Sequence, residues 1–341
     1  MIRKSKENIR RKIENFETMP VPEIEVKRER GIELLAGFLS EQKETIEDNE
    51  EALYMIALTY NHPERKDEIL NQIKKHKSFI ENPEKLYEKT VNNLRDYEKN
   101  NKPLNIDKEI EQRKENIPIY KERIKTTIEY FRPDPKTSDI KNVEIIPCDK
   151  LLPRINTGRA IHVGTSRFIM SHTENPDNFD HEFLHGIINP ITEKLEQVFS
   201  NKEKQKILDL AGNKLKRDYG DYSISLLNEE IIRTYNDLVK QGKKPESLAN
   251  FQEELKNASE ENFKEAIKKD PNLRKRLTEL NIKNLNDFRA KSEIYHDGFF
   301  EKDELRERLF GFYKKYETAK EANKSLSFEK YFSENYKKIL D

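Results

Sequence analysis

Two segments, VEIIPC (143–148) and AIHVGTSRFIMS (160–171), carry the only sustained β texture in a chain otherwise patterned for helix. Both are rich in Val, Ile and Phe, side chains that pack well on a pleated surface. Gly158 and Gly164 punctuate them. A shorter stretch, EIEVK (23–27), alternates like one more strand. Around these few strands, apolar residues recur at helical spacing. GIELLAGFLSEQ (31–42) places Leu34, Leu35, Phe38 and Leu39 on one side, and EEALYMIALTY (50–60) is apolar nearly throughout. Tyr87, Val91 and Leu94 form a third stripe; Ile117, Tyr120, Ile124, Ile128 and Phe131 form a fourth. The fourth must end before Pro133 and Pro135, which cannot continue a helix. From about 177 onward helical patterns return, broken near Gly220, Pro245, Pro271 and Gly298. The expected class is α+β: a mostly helical chain around a small mixed sheet. The expected organisation is a helical region over 1–137, a central region over 138–300 and a helical region over 301–341.

Charge narrows the functions open to such a chain. Lys+Arg and Asp+Glu both number 64, so the net charge is zero. That balance disfavours a general polyanion binder, and no nucleic-acid motif accompanies the six cations between Arg3 and Lys12. The mean hydropathy of -0.99 leans toward disorder, but 17 Phe and 14 Tyr at regular spacing supply a core. No window approaches 18 apolar residues, and the N-terminus has no apolar signal region, so the expectation is a cytoplasmic protein with no membrane partner. A single cysteine, Cys148, excludes an intrachain disulfide and a cysteine-rich zinc module; it reads as a small buried hydrophobe.

The chemistry concentrates at 181–185, His-Glu-Phe-Leu-His. On a helix, His181 and His185 stand about 40° apart, so their imidazoles can share one metal ion. Glu182, one step round, can reach a water at that metal as general base. Only seven of 341 residues are histidine, and a chance match has odds on the order of 0.03. The context agrees. Asn175-Pro176-Asp177 is a helix start with Asp177 as N-cap. Phe179, Phe183, Leu184, Ile187, Ile188 and Ile191 take one half of the wheel, and the three polar residues take the other. Asn189-Pro190 reads as the helix end. The 160–171 segment is expected as an edge strand beside this helix, open to an extended substrate backbone.

HEFLHGIINP (181–190) resembles the signature of an uncharacterised family of zincin-like metallopeptidases. His181, Glu182, Phe183, His185, Asn189 and Pro190 match; Leu184 and Gly186 stand where the family often has serine. The family also carries a later helical Glu with an Arg four residues on, which Glu229 and Arg233 satisfy in LNEEIIRTY. A GF-helix-Tyr region resembles DGFFEKDELRERLFGFY (297–313), and the opening strand and helix loosely resemble EIEVKRERGIELLAGFLS. The resemblance implies a zincin-like catalytic core and a gluzincin-type site.

The third ligand is less determined. Ile191 stands six positions after His185, and no histidine follows until His296, so a three-histidine arrangement is excluded. A Glu from a later helix remains. Glu229 and Glu230 are adjacent, and only one can face a metal; two solvated acids are the other reading. The resemblance favours Glu229, with Arg233 orienting its carboxylate. His162 and His172 flank the expected edge strand as surface histidines or as contacts to substrate or metal. Tyr295 or His296 is a candidate donor to a tetrahedral oxyanion. Asp180 is either an acceptor behind His181 or a first-turn acid favoured by the helix dipole.

The function these residues predict is zinc-dependent hydrolysis of a peptide or protein substrate. Zn²⁺ would sit on His181, His185 and Glu229, with Glu182 as the base. The rival reading is a catalytically inactive, zincin-like helical scaffold whose charged first 135 residues bind partners.

Overall fold

In the computed structural model, the described residues are 18–41, 50–76, 80–101, 106–147, 159–171, 176–212, 216, 220, 222–242, 248–269, 273–274, 277–278, 280–292 and 304–341. The chain divides into two compact units, Met1–Ile191 with Asn323–Phe332, and Thr192–Ala322 with Ser333–Asp341.

The first unit is built on a mixed four-stranded sheet. Its strands are β1 (Glu23–Val26), β2 (Asn142–Pro147), β3 (Arg159–Val163) and β4 (Ser166–Ser171), in the order β1-β2-β4-β3. β1 runs parallel to β2 and β2 parallel to β4, with Ile24 opposite Val143 and Glu144 opposite Phe168. β3 is antiparallel to β4, with Ile161 opposite Phe168. The 160–171 segment is therefore two strands joined by a tight turn. Gly164 supplies the turn with φ of +60°, a conformation that costs a residue with a Cβ. A Cβ there would also stand 2.8 Å from Glu68 Oε1. The expectation of a single edge strand is corrected: of the segment's two strands, β4 lies inside the sheet and β3 at one of its edges.

Side chains alternate between the sheet's faces. Ile146, Ile161, Val163, Phe168 and Met170 point to one face and join a hydrophobic core there. They pack there with α1 (Arg30–Glu41), α2 (Glu50–Leu58), α3 (Lys66–His76) and α4 (Pro83–Asn100). α1, α2 and α4 appear where the apolar stripes predict them; α3 has no counterpart among those stripes. Asn82 caps α4 by accepting from the Lys85 amide at 2.9 Å.

The opposite face carries Arg167, and α7 (Pro176–Glu196) lies on that side. Between α4 and α7 in sequence come α5 (Asp107–Glu115) and α6 (Ile117–Phe131), the latter ending before Pro133 with Arg132 left-handed at φ 48°. Three links fix the first part of α7. The Tyr120 ring of α6 packs against Phe179, tilted 36° with the ring centroids 4.4 Å apart. Arg123 Nη1 donates to Asp180 Oδ2 at 2.7 Å. Arg167, only 5 % exposed, donates through Nη2 and Nε to the Glu182 carbonyl oxygen at 2.8 and 3.2 Å. A charged donor on a buried carbonyl contributes about 1.5–3 kcal/mol. Gly186 permits the close approach, since a Cβ there would meet Ile140 Cδ1 at 2.6 Å.

The second unit is helical: α8 (Asn201–Leu210), α9 (Ser223–Thr234), α10 (Leu248–Asn257), α11 (Glu260–Lys269), α12 (Leu285–Ala290), α13 (Glu304–Ala322) and the short terminal Lys337–Leu340 helix. A Ser200–Glu203 capping box starts α8. α9 passes directly into a π-helical turn, Tyr235–Val239, and packs against α8 and α13. The fully buried Tyr313 of α13 donates to the Ile231 carbonyl of α9 at 3.0 Å. Phe263, Leu285 and Phe288 anchor a smaller core among α10–α12. Among the described residues, no helix is long and apolar enough to cross a membrane.

Candidate metal centre

α7 sorts its residues as the wheel predicts. Phe179, Phe183, Leu184, Ile187, Ile188 and Ile191 are all buried, at 2 % exposure or less. His181 and His185 are half-buried, and Glu182 beside them is buried. The two imidazoles meet at their tips: Nε2 of His181 lies 3.2 Å from Nε2 of His185. Two nitrogens bound tetrahedrally to one zinc at 2.0–2.1 Å stand about 3.3 Å apart. The pair has the spacing of two ligands on a common ion.

α7 does not end at Asn189-Pro190, as its sequence suggests; it runs on to Glu196. Pro190 removes the amide that would bond the Gly186 carbonyl, a cost of about 3 kcal/mol in an isolated helix. Ile188 and Ile191, fully or almost fully buried on either side of it, hold the helix through the break. Asn189 stands on the helix one turn beyond His185, and its Oδ1 lies 3.2 Å from His185 Nδ1. The helix also begins at Pro176, so Asp177 lies inside its first turn rather than capping it. Asp180 is a buried ion-pair partner of Arg123.

In the second unit, Glu229 and Glu230 of α9 are 3 % and 1 % exposed, which removes the reading of two solvated acids. Arg233 Nε donates to Glu229 Oε1 at 2.6 Å, the i, i+4 relation expected of an arginine that orients this carboxylate. Asn228, next to Glu229, accepts a buried hydrogen bond from Thr192 Oγ1 on the last turns of α7.

The remaining candidates fall differently. Tyr295, His296, His172 and Cys148 lie outside the described residues, as does the basic run from Arg3 to Lys12. His162 sits on β3 opposite Arg167. Burial, and then the positive charge of Arg167, push the His162 imidazole down from 6.5 to about 4. The folded state therefore resists protonation of this ring. Stability present above pH 6.5 is lost as the pH falls toward 4, by about 2–3 kcal/mol. Urea unfolding at pH 7 and pH 4.5 checks this: His162→Gln is expected to lose less stability between the two than wild type, by about that amount. Equal losses would contradict it.

Arg167 and Asn189 carry little signal of a site role in the sequence. A lone arginine inside a β run and an Asn four residues after the second histidine were the available signals. No family model matches the chain, and neither a curated protein nor a solved structure matches it.

Proposed function

We propose that this chain is a zinc-dependent peptide-bond hydrolase in which His181, His185 and Glu229 hold one Zn²⁺. The observation that carries the reading is the 3.2 Å separation of the two histidine Nε2 atoms on a helix whose other face is fully packed. Glu229 supplies the third group: a buried carboxylate with one oxygen engaged by Arg233. Each of the three residues offers one ligand atom. Two neutral imidazoles and one carboxylate form a donor set that suits zinc and leaves a coordination position open, as catalytic sites require. Zinc bound there would act as a Lewis acid on a substrate carbonyl and make a water acidic enough to attack at neutral pH.

Glu182 would act there as the general base, taking one proton from the attacking water and passing it to the amine nitrogen as the C–N bond breaks. Arg167 supports this geometry through the Glu182 carbonyl, and Arg233 keeps Glu229 in one orientation. The outer side of β3, unpaired among the described residues, is where an extended peptide would add as a further strand.

The test is cleavage of a denatured-protein or peptide library by the purified chain, before chelation, after it, and after zinc is restored. The expected pattern is cleavage, loss and recovery. Stoichiometric zinc with no cleavage of any library member would overturn the hydrolase reading in favour of an inactive scaffold.

A further inference from the structure

Asn189 stands in α7, one helical turn beyond His185, with its side chain half-buried. Residues four apart on a helix lie one above the other, so a short amide can reach back to the ring below it. The contact is specific: Asn189 Oδ1 lies 3.2 Å from His185 Nδ1, while the opposite ring nitrogen, Nε2, faces His181 Nε2 at 3.2 Å. A neutral imidazole carries one proton, on one nitrogen or the other. With Nδ1–H donating to Asn189, the proton is fixed on Nδ1 and the Nε2 lone pair is left for a metal. The reverse arrangement, with the amide NH₂ donating to a bare Nδ1, would place the proton on Nε2 and block the ligand atom.

We infer that Asn189 is a positioning residue: it fixes the tautomer and orientation of His185 so that Nε2 faces the site. This rests on the metal reading above. It also ties the site to the regularity of α7 between His185 and Asn189, the turn that keeps the amide stacked on the ring. The acceptor is a neutral amide rather than a carboxylate, so it orients the ring while adding less to its basicity than an aspartate would.

The metal-free protein itself provides the first readout. Long-range ¹H–¹⁵N spectra of histidine-labelled wild type at pH 7.5 should show His185 as the Nδ1–H tautomer. Asn189→Leu should move it toward Nε2–H and weaken zinc binding about 10- to 100-fold in chelator competition, with the far-ultraviolet circular dichroism unchanged. Asn189→Asp keeps the acceptor and should restore both the tautomer and the affinity. Finding His185 as Nε2–H in wild type would overturn the inference, whatever the variants do. So would zinc affinity within twofold of wild type in Asn189→Leu. An Nδ1–H tautomer that depends on Asn189, in a protein that binds no zinc, would uphold the hydrogen bond and overturn the metal reading instead.

Discussion

Glu182→Gln is expected to keep zinc content near that of wild type while peptide hydrolysis falls about 10²-fold or more, the scale of losing a general base. The substitution preserves size and polarity and removes only the basic carboxylate. Glu182 lies beside His181 on α7, and its backbone carbonyl, the part that Arg167 grips, is untouched by the change. A fall in kcat with little change in KM would mark an interaction made in the transition state. If activity survives, the base is another residue. If zinc is lost together with activity, Glu182 is part of the ligand set instead.

Glu229→Gln should behave in the opposite way. It removes an anionic ligand, so zinc affinity should fall together with activity. The fall should exceed the roughly 10–100-fold typical of losing a ligand's hydrogen-bond partner. Glu230→Gln should leave zinc affinity near wild type. Both carboxylates are buried, so exposure does not separate them; the hydrogen bond from Arg233 to Glu229 does. Zinc loss in Glu230→Gln with retention in Glu229→Gln would exchange the two roles. If neither changes zinc affinity, the third ligand is another residue, with His172 and His296 next to be substituted.

Much of this arrangement is legible in the residues, for physical reasons. Helical periodicity locates the segments at 31–42, 50–60 and 117–131 because the apolar stripe of each is buried. HEFLH locates the paired histidines because i, i+4 spacing dictates which rings converge. Arg233 is legible for the same reason. The hairpin within 160–171 is harder to see. Gly164 and Thr165 interrupt a β-patterned stretch by only two residues, and a two-residue turn leaves little trace in composition. Pro190 misleads because local propensity favours a helix end there, whereas buried neighbours decide the outcome. The burial of Glu229 and Glu230 is invisible for a related cause. Adjacent acids in a chain with 64 acids read as solvated until tertiary packing surrounds them. Arg167 gives no periodic signal, since its partner is a backbone carbonyl of a distant helix.

Zinc stoichiometry tests the central claim most directly. Purified wild-type protein, loaded with zinc and passed through a desalting column, is predicted to carry close to one zinc per chain by elemental analysis. The His181→Ala/His185→Ala double variant is predicted to carry close to none. Equal zinc in the two proteins, or none in the wild type, would contradict a metal centre on α7.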